Sequence, residues 1–169
     1  VLLARAAAAL GIPVLRYHAR GHGDSGGDFA DVTLESLVED ALAAAAEARR
    51  RSGATRIVWL GVRFGALVAA TAALRVPGAA ALALWEPVHR PLEYFRGQLR
   101  GYLFSQVAGG KRPDANVDQL LEAIQRDGAV DVHGYYLHRA IVESSRGADL
   151  SRLLETWSAP AFLAQIEAR

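Results

Sequence analysis

The stretch Ile57-Val58-Trp59-Leu60-Gly61-Val62-Arg63-Phe64-Gly65-Ala66-Leu67-Val68 decides the fold. An apolar, β-branched run ends at Gly61, and a second glycine, Gly65, leads into an Ala-rich segment. The first part reads as a buried strand, Arg56–Leu60, and the second as a helix, Phe64–Leu74. Between them the chain turns within a few residues, and glycines at both ends of the turn let strand and helix approach closely. Arg63 stands at the apex. Phe64 opens the helix, so its N–H belongs to the first turn, where amides lack intrahelical partners.

Helix and strand alternate on both sides of this elbow, the pattern of a parallel sheet with helices on its faces. On the N-terminal side, Leu2–Leu10 reads as a helix ended by Gly11, and Ile12–Tyr17 as a short apolar strand. A Gly- and Asp-rich loop from His18 to Asp31 follows. Thr33 caps the next helix, with Glu35 in its first turn and Arg49, Arg50 and Arg51 in its last, both matched to the helix dipole. Gly53 supplies the stop. On the C-terminal side, Ala80–Trp85 is a strand running into Glu86-Pro87.

Beyond Pro91 the pattern changes. Arg90–Val107 and Val117–Arg126 read as helices separated by Gly109-Gly110-Lys111-Arg112-Pro113, a short strand is expected around Val130–Val132, and Tyr135–Ser145 reads as a helix. Ala161–Ile166, after Pro160, is a strand that returns to the sheet. The expectation is one incomplete domain over residues 1–169, with 91–155 a helical, cap-like insertion. Two roles fit that insertion: a cap over a site, or plain cover for one sheet face.

Composition bounds the function. The chain has 169 residues, 51% hydrophobic and 22% charged, with net charge +1. Acidic residues alternate with arginines, a balance that favours neither nucleic acid nor a membrane surface as partner. Cysteine is absent, which removes disulfides, thiolate metal sites and a cysteine nucleophile, and is compatible with a cytoplasmic setting. Excess arginine and alanine beside a single lysine, Lys111, read as bacterial, GC-rich coding. The chain lacks methionine and opens inside a helix without a cap, so a piece of a longer protein is expected.

Four segments then occur in order: Gly23-Asp24-Ser25-Gly26-Gly27-Asp28-Phe29, Gly61-Val62-Arg63-Phe64-Gly65-Ala66-Leu67, Leu82-Ala83-Leu84-Trp85-Glu86-Pro87-Val88, and Val130-Asp131-Val132-His133-Gly134-Tyr135. Together they resemble the α/β-hydrolases of the serine-aminopeptidase-like group, and most of all the second type of exosortase A system-associated hydrolase. The resemblance implies a partial α/β-hydrolase fold: a mostly parallel sheet, flanking helices and a helical cap insertion. It also implies hydrolysis of ester, thioester or amide bonds. In that superfamily the elbow reads G-x-S-x-G and its serine attacks the carbonyl, helped by the backbone N–H that follows.

Here Arg63 holds the nucleophile position and Phe64 supplies the oxyanion N–H; in the subgroup the elbow also tends to read G-x-R-x-G-A. A guanidinium does not attack carbonyls. The acid slot follows the strand Ala161–Ile166, where Glu167 stands, and the histidine slot lies further on than Arg169. The resemblance also implies a sheet strand between those matching Ile12–Tyr17 and Arg56–Leu60, contributed from before Leu2. Without it, apolar faces are left bare.

Two functional readings remain. One is a hydrolase whose catalytic set is completed or altered elsewhere; Glu86, just after a strand, is then a candidate acid, with His89 as a nearby base. The other is a non-catalytic homologue that binds a small acyl or carboxylate-bearing ligand through Arg63, Phe64, Glu86 and His89. A cation at a helix N-terminus suits an anion. The plain alternative is that Arg63 pairs with Glu86 or Asp24 and that Glu86 merely meets an arginine. Ser25 reads as a turn residue rather than a nucleophile. His22, His133 and His138 lack metal-ligand spacing, and neither a metal nor a cofactor is expected.

Overall fold

The computed structural model describes residues 2–166. The elements in chain order are α1 (Leu2–Ala9), α2 (Leu34–Ser52), β1 (Ile57–Val62), α3 (Phe64–Leu74), β2 (Ala79–Trp85), α4 (Pro91–Ala108), α5 (Val117–Asp127), β3 (Ala129–Val132), β4 (Tyr135–His138), α6 (Arg139–Ser145), α7 (Leu150–Leu154) and β5 (Ala161–Ala164). β1, β2 and β5 form a parallel sheet with β2 in the centre. β3 and β4 form a separate antiparallel hairpin.

The sheet's covered face packs on α3, and α2 packs against α3 in turn. α3 is apolar apart from Thr71 and is buried from Ala66 to Ala73 except at that residue, because sheet, α2 and α7 enclose it. α2 offers Val38, Ala41 and Ala45 to the same core, a spacing that keeps them on one helical face. Thr33 and Ser36 exchange side-chain-to-backbone hydrogen bonds in a capping box, and Gly53, at φ 70°, ends the helix. A second apolar cluster joins Phe95 and Leu99 of α4 to Ile124 of α5 and Val142 of α6, with Phe64 of α3 packed against it.

Two expectations are corrected. Ile12–Tyr17 is extended but is not a strand: no described strand lies beside it, and Ile12, Val14 and Tyr17 are exposed. Extended backbone becomes a strand only when a neighbour takes its N–H and C=O groups. Tyr135–Ser145 is not one helix, since Tyr135–His138 pairs with Ala129–Val132 and only Arg139–Ser145 is helical. His133 and Gly134, both at positive φ, form the two-residue turn that makes this hairpin. The short helix α7 is an addition to the expected elements, and it carries Leu150 into the main core.

The opposite sheet face is bare. Strand register aligns Leu60 with Ala83 and Phe162, and Val62 with Trp85 and Ala164. Val58, Leu60 and Phe162 are 63%, 52% and 66% exposed. Parallel sheets are ordinarily covered on both faces, so this is an apolar surface without its cover. The outer edge of β1 pairs with no described strand, and every described residue of α1 is at least partly exposed.

Candidate functional site

The elbow forms as the glycine spacing demands, but only one glycine is sterically required. A Cβ on Gly61 would lie 2.3 Å from the Gly65 carbonyl oxygen and 2.4 Å from Ala66 Cα, whereas a Cβ on Gly65 would meet open space. Gly61 is therefore where strand and helix touch, and the equal role expected of Gly65 is corrected.

Arg63, the residue between them, sits at φ 53° and ψ −121°, backbone that L-residues rarely adopt. Hydrogen bonds hold it there: its N–H donates to the Trp85 carbonyl at 2.8 Å, and its carbonyl accepts from Ala66 at 3.0 Å and Val88 at 3.2 Å. Such strain costs on the order of 1–3 kcal/mol and persists only where the surroundings over-determine it.

Glu86 mirrors this at the end of the neighbouring strand, with φ 48°. Its N–H donates to the Ala164 carbonyl at 2.7 Å, and its carboxylate accepts from the Ile166 N–H. Two strained residues thus stand side by side at the carboxyl ends of β1 and β2, where open α/β sheets form their ligand crevices.

A cleft of about 440 Å³ opens there, lined by Arg63, Glu86, Pro87, Val88, His89, Arg90, Glu93 and Tyr94. It brings together three of the expected residues, Arg63, Glu86 and His89. The fourth, Phe64, turns its ring into the α4–α6 cluster, 6.0 Å from the ring of Phe95. Glu167, the residue at the acid slot, lies outside the described residues. Glu93 and Tyr94 join the site without having been expected there. Their signal in the sequence is their place in the first turn of α4, directly behind the loop that follows β2.

The charges in the cleft are unevenly engaged. Arg90 pairs with Asp149 at 3.1 Å. The Arg63 guanidinium lies 5.6 Å from the centre of the Tyr94 ring, a cation–π contact. Arg63 makes no ion pair with a described carboxylate. The alternative in which Glu86 or Asp24 neutralises it is therefore corrected. Glu86, for its part, meets a backbone N–H and not an arginine.

The remaining candidates are structural in their bonding. Ser25 donates its hydroxyl to the His18 carbonyl at 2.8 Å and closes the glycine loop as a turn residue. Arg20 fixes the same loop to α2 through Asp40, by side chain at 2.8 Å and by backbone N–H at 2.8 Å. Those bonds hold the Asp40 carboxyl below the usual carboxylate range. A larger cleft, about 630 Å³, lies between Asp31, Asp127, Tyr136 and Glu143. It contains none of the residues that follow β1 and β2, so the smaller cleft is the candidate site. Among the described residues no cluster of His, Asp and Glu could hold a metal ion, and no helix is long and apolar enough to cross a membrane.

Residues 2–142 match the family model for serine aminopeptidase, S33. The chain belongs to this α/β-hydrolase family. Solved structures agree at the level of fold. Est1E from Butyrivibrio proteoclasticus, solved with ferulic acid, is 21% identical with a TM-score of 0.69 over 94% of this chain and 58% of its own. A protein of Agrobacterium vitis S4 is 15% identical with a TM-score of 0.60 over 98% of this chain and 72% of its own. An extracellular α/β-hydrolase from a Paenibacillus species is 16% identical with a TM-score of 0.54, over 95% and 69%. No curated protein matches the chain in sequence. The S33-family chain thus spans 58–72% of the length of these solved hydrolase-fold proteins.

Proposed function

We propose that this S33-family chain is the elbow-bearing part of a hydrolase homologue that binds an acyl ligand through its carboxylate and does not attack it at the elbow. One observation carries the reading: the residue held in the strained apex conformation is an exposed arginine with no carboxylate partner among the described residues. A guanidinium carried at a helix N-terminus, beside its free N–H groups, favours a planar anion. Ferulic acid, bound to Est1E, is an aromatic carboxylate. The Paenibacillus hydrolase shares structural and functional homology with tobacco Salicylic Acid Binding Protein 2, whose name points to another. Both support this class of ligand.

A second reading follows from family membership. In it the complete protein hydrolyses ester, thioester or amide bonds with a nucleophile other than Arg63, while Glu86 and His89 serve as acid and base from the segment that follows β2. The four matched segments support the exosortase-associated subgroup for either reading, and a cytoplasmic protein with a small-molecule ligand fits both.

Two measurements separate them. Titration with ferulate, followed by calorimetry, is expected to give binding that Arg63→Ala removes; binding unchanged by that substitution sinks the receptor reading. Treatment with p-nitrophenyl acyl esters and a fluorophosphonate probe is expected to give neither turnover nor labelling. Robust labelling would establish an active serine and favour the hydrolase.

A further inference from the structure

We infer that the Arg63 cleft takes a zwitterion, a ligand of amino-acid type that carries an ammonium group beside its carboxylate. The inference rests on the receptor reading above and narrows it.

The lining charges lead there. Two guanidinium groups, Arg63 and Arg90, share the cleft with two carboxylates, Glu86 and Glu93. Arg90 is engaged by Asp149 and Glu86 by the Ile166 N–H. Arg63 and Glu93 are each exposed and make no ion pair with a described residue. One cation and one anion are thus both left to a ligand in the same cleft. A plain carboxylate would gain at Arg63 but share the cleft with Glu93 and Glu86, which carry the same charge. A ligand bearing both signs turns that repulsion into a second anchor.

The two anchors stand at the starts of helices that touch each other. Arg63 caps α3 and Glu93 lies in the first turn of α4. The two helices are joined by the Phe64–Phe95 contact at 6.0 Å and by Tyr94 under the guanidinium at 5.6 Å. A volume of about 440 Å³ lies at the small end of ligand sites, which run from about 300 to 1,000 Å³. Tyr94, Pro87 and Val88 supply an apolar wall for a side chain.

Three probes of one carbon skeleton test this by calorimetry on the protein: L-phenylalanine, hydrocinnamate without the amine, and phenethylamine without the carboxylate. Phenylalanine is expected to bind about 10-fold tighter than either singly charged probe, the usual gain from one charge-assisted contact. Glu93→Gln, an exposed and isosteric change, is expected to reduce phenylalanine to the level of hydrocinnamate while leaving hydrocinnamate equal or tighter. Arg63→Ala is expected to abolish both. Equal, Arg63-dependent binding of hydrocinnamate and phenylalanine would overturn the zwitterion and leave the carboxylate receptor standing. Absence of Arg63-dependent binding by any of the three would overturn both, and circular dichroism of each variant separates that outcome from misfolding.

Discussion

The Arg63 guanidinium rests 5.6 Å from the centre of the Tyr94 ring, so the apex of the elbow is tied to the first turn of α4. That contact links the sheet's strand ends to the helices packed over them and sets where the positive charge points. A cation–π contact at an exposed site is worth roughly 0.5–1 kcal/mol. Tyr94→Ala is therefore expected to weaken carboxylate binding about 3-fold, with Tyr94→Phe close to the native protein. Calorimetric titration with ferulate checks both. A loss in Tyr94→Phe equal to that in Tyr94→Ala would show that the hydroxyl acts, and not the ring face.

Gly61 and Gly65 look equivalent in the sequence but differ in the fold. Gly61→Ala would drive a methyl to 2.3 Å from the Gly65 carbonyl oxygen. It is expected to destabilise the protein by about 4 kcal/mol or more, in the exceptional tail of point substitutions. Gly65→Ala meets open space inside a helix and is expected to stabilise by about 0.4–1 kcal/mol. Urea unfolding measures both; two equal losses would show that the elbow does not close on Gly61.

How far the sequence reaches follows from the same elbow. β1, α3 and β2 can be read because their signals are local: a β-branched run, a glycine, then an alanine-rich helical stretch. Ile12–Tyr17 has the same local signal, yet pairing is a property of the neighbour, and no described strand supplies it. In Tyr135–Ser145 the helix propensity of Arg139–Ser145 extends backward across the hairpin in a sequence reading, although Val-Asp-Val before His133-Gly134 already alternates with period two. Arg63 and Glu86 are legible as strand-end residues, and His89 as part of the loop that follows β2. Glu93, Tyr94 and the Arg90–Asp149 pair are not, because Asp149 lies 59 residues from Arg90 and reaches it only through α7.

The bare sheet face gives a prediction about association. Leu60 and Phe162 are 52% and 66% exposed in one aligned row, with Val58 and Val62 beside them on β1. Exposed apolar patches beside an open strand edge promote self-association. The 169-residue chain is expected to bind anilinonaphthalene sulfonate and to elute from gel filtration as more than a monomer. Leu60→Lys with Phe162→Lys is expected to suppress both without lowering the unfolding midpoint, because neither side chain is in the core. A native chain that is monomeric, does not bind the dye and unfolds in one cooperative step would show that this face is covered in solution.

The Arg20–Asp40 bridge predicts a pH dependence with a definite sign. Hydrogen bonds from the Arg20 side chain and backbone hold the folded Asp40 carboxyl below its ordinary range. A depressed carboxyl contributes stability that is complete above its unfolded value, near pH ~3.9, and is lost as pH falls through the lower folded value. The bond fixes the glycine loop to α2, so the loss should appear there. Thermal unfolding is expected to weaken more steeply below pH ~4 in the native protein than in Arg20→Ala, where that carboxyl has lost its partner. At neutral pH, Arg20→Ala is expected to raise amide hydrogen exchange across Gly21–Ser25 while β1 and α3 remain protected. Parallel pH curves for the two proteins, or exchange rising equally in β1, would show that Arg20 does not act through this loop.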